Sequence, residues 1–197
     1  MISYKWIGNL FPAPGYFIEA GAHDCIGDSQ TYALEQQGWD GICVEPSSAF
    51  RGLKRSRKCK VDSRCLWSVD GDTIDFREVR GNGVELSGIA NQFYDAHDRT
   101  DSDIVSKQTI TLPTLLLEHN APKIIEWLSL DTEGSEFAIL SAHDFDRFQF
   151  QAITVEHNQV VTQRNKIRQL LFSKGYVLGH AQEIEDWYVK DTLGRKL

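Results

Sequence analysis

Long apolar runs are missing from this sequence. No stretch approaches the roughly 18 consecutive apolar residues that a membrane-spanning helix needs, so no span is expected. Cysteine is sparse: Cys25, Cys43, Cys59 and Cys65 contain no C-x-x-C pair. Two of them fall inside apolar, strand-like runs, where cysteine behaves as a small hydrophobe. A zinc site or a disulfide framework is therefore not expected, and the reducing cytoplasm is the expected compartment. The N-terminal stretch MISYKWIGNLFPAPGYF lacks the charged start and long apolar run of a signal peptide. Positive charge is also short, with 21 Lys and Arg against 28 Asp and Glu and a net charge of −7. Neutralising a phosphate backbone takes a surplus of cations, so broad nucleic-acid binding is not expected. The one dense basic run, RGLKRSRKCK at 51–60, reads as the solvated face of a surface helix.

What is present is the composition of a soluble globular chain, 41% hydrophobic and 25% charged over 197 residues. That is enough for one domain over 1–197 with a sizeable core, whether or not the chain is cut from a larger polypeptide. Glycine and proline divide it into alternating apolar runs and helical patterns. The runs 16–19, 41–45, 60–67, 125–130, 152–156, 176–179 and 186–190 read as strands. Between them, 29–37, 48–55, 114–119, 136–143 and 159–174 read as helices. In the last, Val160, Ile167, Leu170 and Leu171 keep mostly helical spacing, and Gly175 is placed to end it. This alternation implies a parallel α/β sheet covered on both faces. The rhythm breaks twice. DTIDFREV at 72–79 alternates like an extra hairpin strand, and the polar stretch 80–107 reads as a long functional loop.

The stretch FIEAGAHDCIGDSQTYALEQQGWDGICVEP (17–46) ends two apolar strands in acids, Glu19 and Glu45, with a glycine loop between. In open α/β sheets ligands bind beyond such strand ends. A dinucleotide is a poor fit. Its G-x-G-x-x-G fingerprint needs a glycine where this chain has His23, and Asp24 and Asp28 would repel a diphosphate. S-adenosylmethionine fits better: Glu45 can accept from both ribose hydroxyls, Glu19 and Asp24 can face the amino end, and Gly21 lets the backbone approach.

The same stretch, followed by IIEWLSLDTEGSEFAIL and ITVEHN, resembles the FkbM family of S-adenosylmethionine-dependent methyltransferases over roughly 15–190. The G-W-x-G-x-x-V-E-P and D-x-E-G-x-E blocks match without gaps. The first loop departs, with Cys25 where a glycine is usual and Gly27 two residues on as the source of flexibility. The resemblance implies a Rossmann-like class I methyltransferase fold, a seven-stranded mostly parallel sheet with its last strand antiparallel. It implies that Glu19, Gly21, His23, Asp24 and Ser29 line the methionine side and that Glu45 and Pro46 hold the ribose. Cys65 and Leu66 would wall the adenine, and Asp131 would adjoin the cofactor.

Methyl transfer to a hydroxyl needs alignment and help with the proton, from a base or a metal ion. LSLDTEGSE and ITVEHN bring Asp131, Glu133, Glu156, His157 and Asn158 to one rim. Asp131 and Glu156, with His157, are candidate ligands for Mg²⁺ or Mn²⁺. His157 is alternatively the general base. Glu133 and Glu136 have a second reading as caps of the following helix, and the 81–106 loop is the candidate lid. The expected activity is O-methylation of a sugar or glycoconjugate hydroxyl, the substrate class resting on the resemblance alone. Two alternatives are a cofactor-binding module without turnover and, from Asp101-Ser102-Asp103 read as a D-x-D motif, a glycosyltransferase.

Overall fold

The structure, a computed structural model, describes residues 3–23, 26–27, 29–93 and 97–194. The chain opens with α1 (Ser3–Leu10), then β1 (Tyr16–Ala20), α2 (Tyr32–Glu35), β2 (Asp40–Val44), α3 (Phe50–Ser56) and β3 (Lys60–Asp62). Four more strands follow, β4 (Cys65–Leu66), β5 (Thr73–Val79), β6 (Gly88–Ile89) and β7 (Ser102–Ile110), with a 3₁₀ turn at Gly81–Leu86. The rest alternates: α4 (Leu112–Glu118), β8 (Ile124–Leu130), α5 (Glu136–Ser141), β9 (Gln149–Glu156), α6 (Val161–Ser173), β10 (Tyr176–Ala181), β11 (Glu185–Lys190) and α7 (Asp191–Gly194).

The main sheet has seven strands in the order β10-β11-β9-β8-β1-β2-β3. β11 runs antiparallel to both of its neighbours, and the other pairings are parallel. This is the Rossmann-like methyltransferase arrangement expected from the sequence. Its strands are apolar throughout because successive side chains enter different cores. Phe17, Cys43, Trp127 and Ala152 pack on one face with Trp6 and Ile7 of α1, Leu34 of α2 and Leu53 of α3. Their neighbours Ile18, Ile42, Leu128 and Ile153 pack on the other with Leu115, Ile139, Ile167 and Leu171 of α4, α5 and α6.

Two expectations need correction. The run 60–67 is not one strand. Asp62 accepts the Arg64 backbone N–H at 2.9 Å, folding the chain into a tight turn that parts β3, at the edge of the main sheet, from β4. The stretch 80–107 is not one loop, because its last residues, from Ser102 on, belong to β7, which pairs antiparallel with all seven residues of β5. With β4 and β6 these form a second, four-stranded sheet in the order β4-β7-β5-β6. Only a small core lies under it, built on Cys65, Phe76 and Ile89, so most β7 side chains are solvated and the strand carries no apolar signature. α1 was not among the expected elements. It is anchored by Trp6 against Trp187, with ring centroids 5.0 Å apart.

The order of the main sheet reverses direction between β1 and β8, so their carboxyl ends part and leave a crevice. The chain is tied tightly there. Gly21 N–H donates to the Val44 carbonyl at 3.0 Å, and Asp131 N–H to the Ala20 carbonyl at 3.0 Å. Gly21 has φ +82°, and a Cβ there would sit 1.7 Å from the Asp131 carbonyl oxygen. Gly21→Ala must therefore push β1 and β8 apart. Urea unfolding is expected to show a loss of about 3 kcal/mol or more, and a loss below about 1 kcal/mol would mean that the strand ends separate freely.

Candidate active site

A cavity of about 820 Å³ occupies the crevice. Gly21, His23, Ser29, Glu45 and Pro46 line it from the ends of β1 and β2 and the loops that follow. Asp131, Thr132, Glu133, Glu156 and Asn158 line it from the ends of β8 and β9. The second sheet closes it with Cys65, Leu66, Phe76 and Ile89, an apolar wall fit to cover a flat ring.

Glu45 is buried at the end of β2, and each carboxylate oxygen accepts one backbone N–H: His23 at 2.9 Å and Ser47 at 2.7 Å. A carboxylate has about four acceptor positions, so each oxygen retains capacity for a hydroxyl. Its geometry is fixed before anything binds. His23 presents its N–H from a backbone at φ 40°.

Glu19 is placed differently from the sequence expectation. It does not line the cavity but lies buried beneath it, facing Arg57 at 3.2 Å. It also accepts from Ser29 Oγ, Thr31 Oγ1 and the Gln30 N–H. Arg57 in turn reaches Glu35 at 3.0 Å. The Glu35 carboxyl stays below its ordinary range: burial would raise it, but N–H bonds from Cys59 and Lys58 and the charge of Arg57 outweigh that. This network ties the first loop to β2 and α3. Ser29 joins both worlds, lining the cavity while its hydroxyl serves Glu19. Asp24 and Cys25 lie outside the described residues.

At the other end, oxygens of Asp131, Glu133 and Glu156 all lie within 4.8 Å of one another. Burial pushes the Asp131 carboxyl up, and the charge of Glu19 adds to this, while a hydrogen bond with Glu156 works against it. Burial and the neighbouring Asp131 push Glu156 strongly up. Two carboxyls so placed cannot both ionise readily. Both carboxyls are thus pushed toward the protonated form and are hydrogen-bonded to each other, while Asn158 Nδ2 donates to Glu156 at 2.9 Å.

His157 does not join them. Its ring is buried behind the rim, with Nε2 3.7 Å from Asp186 and Nδ1 accepting the Gln159 N–H at 3.1 Å. Strand alternation explains this: Glu156 faces the cavity, so the next residue points to the opposite side. Asp186 is a structural hub, paired also with Arg164 at 2.7 Å and Arg168 at 3.0 Å. The two acids after Asp131 divide their roles. Glu136 does not cap α5 but, as its first residue, ties down the loop before it, its carboxylate accepting from the Thr132 and Gly134 amides. Glu133, at φ 57°, instead meets Arg99 at 2.7 Å.

Arg99 holds the lid region. It stacks on Phe93 at 4.0 Å and donates to the Leu86 carbonyl at 2.8 Å. Val84, Leu86, Ser87 and His97 from this region line the cavity. Asp101 and Asp103 do not, since both pair with the exposed Arg80. The D-x-D reading therefore loses its motif to a surface ion pair. Sequence reasoning did not single out Phe76 or Ile89, whose strands belong to the second sheet, nor Tyr4 and Ile184 on the rim.

Residues 19–178 match the methyltransferase FkbM domain. No curated protein matches the sequence. Among solved structures, a precorrin-6y C5,15-methyltransferase from Geobacter metallireducens GS-15 is similar at a TM-score of 0.50 and 10% identity, over 95% of this chain and 88% of that one. A protein from Pyrococcus horikoshii described as an RNA methyltransferase aligns at a TM-score of 0.46 and 12% identity, over 95% of this chain and 79% of that one.

The Arg57 network predicts a separation of stability from binding. Arg57→Met leaves Glu19 and Glu35 buried without their cation, and denaturant unfolding should register a loss of about 3–5 kcal/mol. A variant as stable as the parent would show that the two acids do not depend on it.

Proposed function

This chain belongs to the FkbM methyltransferase family, and from that premise we propose that it is an S-adenosylmethionine-dependent O-methyltransferase, a single domain acting on a hydroxyl of a sugar or glycoconjugate. The observation that carries the cofactor half is Glu45: a buried carboxylate with both oxygens oriented by backbone amides, in a cavity of about 820 Å³ with an apolar wall. Glu45 takes the ribose diol, with Pro46 beside it, and Cys65, Leu66, Phe76 and Ile89 cover the adenine. Gly21 and His23 line the methionine portion. The cofactor supplies a methyl group already activated by a sulfonium, and the acidic end of the cavity suits that positive charge.

The acceptor class follows from the family resemblance, and the site chemistry is compatible with it. Asp131 would receive the proton of an acceptor hydroxyl held against it, with S-adenosylmethionine, when bound, supplying the methyl group. Glu156 holds Asp131 in place through the shared hydrogen bond, and Asn158 orients Glu156. His157 has no part in the reaction. A second reading has one observation behind it: the clustered oxygens of Asp131, Glu133 and Glu156 are a hard donor set of the kind Mg²⁺ or Mn²⁺ takes. Glu133, rather than His157, is then the third ligand.

Calorimetry tests the cofactor half: Glu45→Ala should weaken S-adenosylmethionine binding by about 1.5–3 kcal/mol, and unchanged affinity on folded protein would remove Glu45 from the site. The chemistry is tested by S-adenosylhomocysteine release on a panel of mono- and oligosaccharides. Asp131→Asn should slow turnover by about 10²–10⁴-fold, the span of general-base catalysis, while chelator leaves the parent unaffected. Abolition by chelator and recovery with Mg²⁺ would replace the general-base reading with the metal one. Release of no product from any acceptor, with cofactor binding intact, would favour a binding module without turnover.

A further inference from the structure

The basic run at 51–60 is more than a solvated helix. It holds six Lys or Arg and no acid, in a chain whose net charge is −7. In the structure its cations separate by face. Leu53 and Arg57, four apart, are buried. Arg51, Lys54 and Arg55, at the i, i+3, i+4 spacing of one face of α3, and Lys58, just beyond the end of the helix, are all exposed. Among the described residues none of these four forms an ion pair, whereas Arg80, Arg99, Arg164 and Arg168 are each matched to a carboxylate.

This face borders a groove of about 460 Å³ lined by Pro46, Ser48, Arg51, Arg64, Glu78 and Lys107 among others. Arg64 is committed to Asp62 and Glu118. Glu78 accepts the Ser48 N–H at 2.7 Å, which occupies part of its acceptor capacity. The exposed Arg51 and the half-buried Lys107 remain as groove cations without an ion pair among the described residues. The groove also adjoins the main cavity, because Pro46 lines both. Lys107 lies 5.8 Å from the ring of Phe76, itself part of the cavity wall.

We propose that the α3 face and this groove form a docking surface for an anionic saccharide acceptor, one carrying sulfate, phosphate or carboxylate groups along its length. The surface holds the part of the acceptor remote from the reacting hydroxyl. The proposal rests on the methyltransferase reading above and narrows its substrate class. A charged saccharide matches the surface better than a single-stranded nucleic acid does. Strand binding adds several aromatic platforms on which bases stack, whereas the one aromatic residue lining this groove, Phe50, is half-buried against the core. Aligned, unpaired cations of this kind repel one another in the free protein, and a polyanion relieves that repulsion while releasing its own counterions.

The test uses the full chain and a sulfated heparin-type hexasaccharide, with a neutral dextran oligomer and a single-stranded oligonucleotide of equal charge as comparisons. Binding is measured by fluorescence polarisation at low and at physiological salt. The hexasaccharide should bind, weaken by at least about tenfold on raising the salt as counterion release requires, and exceed the dextran and the oligonucleotide. The triple variant Arg51→Gln, Lys54→Gln, Lys107→Gln should weaken it by about tenfold or more. A control triple of equal charge change, Lys5→Gln, Lys123→Gln, Lys166→Gln, should change it by less than about twofold, which separates local docking from net charge. Absence of hexasaccharide binding, equal losses in both triples, or tighter binding of the oligonucleotide would each overturn the proposal. Calorimetry with S-adenosylmethionine on the same variants keeps the two readings apart: the docking surface can fail while cofactor binding stands, and the reverse.

Discussion

The crossing of Gly21 and Asp131 is the contact on which the rest of the site depends. β1 ends wedged between β2 and β8, its Gly21 amide bound to Val44 and its Ala20 carbonyl taking the Asp131 amide. No side chain fits between these backbones, so the chain turns at once, at φ +82°, into the loop that carries His23. His23 then reaches back with its own amide to Glu45. One backbone crossing thus brings Glu45 and Asp131, the two ends of the cavity, into a fixed relation. Because these bonds run between backbones, they demand little of the sequence beyond the glycine.

Environment, more than residue type, separates the acids of this rim. Glu19, Glu45, Asp131 and Glu156 all sit at the ends of neighbouring parallel strands. Glu19 is neutralised by Arg57 and by a ring of hydroxyl and amide donors, and acts as structure. Glu45 is held by two amides with acceptor capacity to spare. Asp131 and Glu156 have neither a cation nor enough amides among the described residues, so both carboxyls are pushed toward the protonated form. Stability alone would favour replacing such a pair, since two acids held together without a cation cost free energy without contributing packing. Its presence beside a large cavity is the pattern expected of groups kept for chemistry.

The sequence disclosed those parts of the molecule whose signals are local. The parallel strands of the main sheet are apolar on both faces, so each stood out and fell within a few residues of its place. Gly21, Glu45 and the Asp131–Gly134 block sit immediately at strand ends, where alternation fixes their position. The failures have a common cause in contacts made far along the chain. Glu19 looks equivalent to Glu45 until Arg57, 38 residues later, claims it. His157 looks equivalent to Glu156 until the pleat turns it toward Asp186. β7 was illegible because a ribbon with one half-buried face needs few apolar residues. The role of Phe76 and Ile89 could not be inferred without knowing that the second sheet folds over the crevice.

Charge segregation links the cavity to the surface. The acids concentrate where a cationic cofactor would lie, and the unpaired bases concentrate on α3, one loop beyond Glu45. Glu45 and the cations belong to one βαβ unit, since Glu45 directly follows β2 and the next helix carries the cations, while Asp131, Glu133 and Glu156 come from the ends of β8 and β9. A neutral acceptor would gain nothing from such a face. The acceptor proposed above, extended and with its charges set apart from the reacting hydroxyl, would meet both features, the field of the basic face steering its approach.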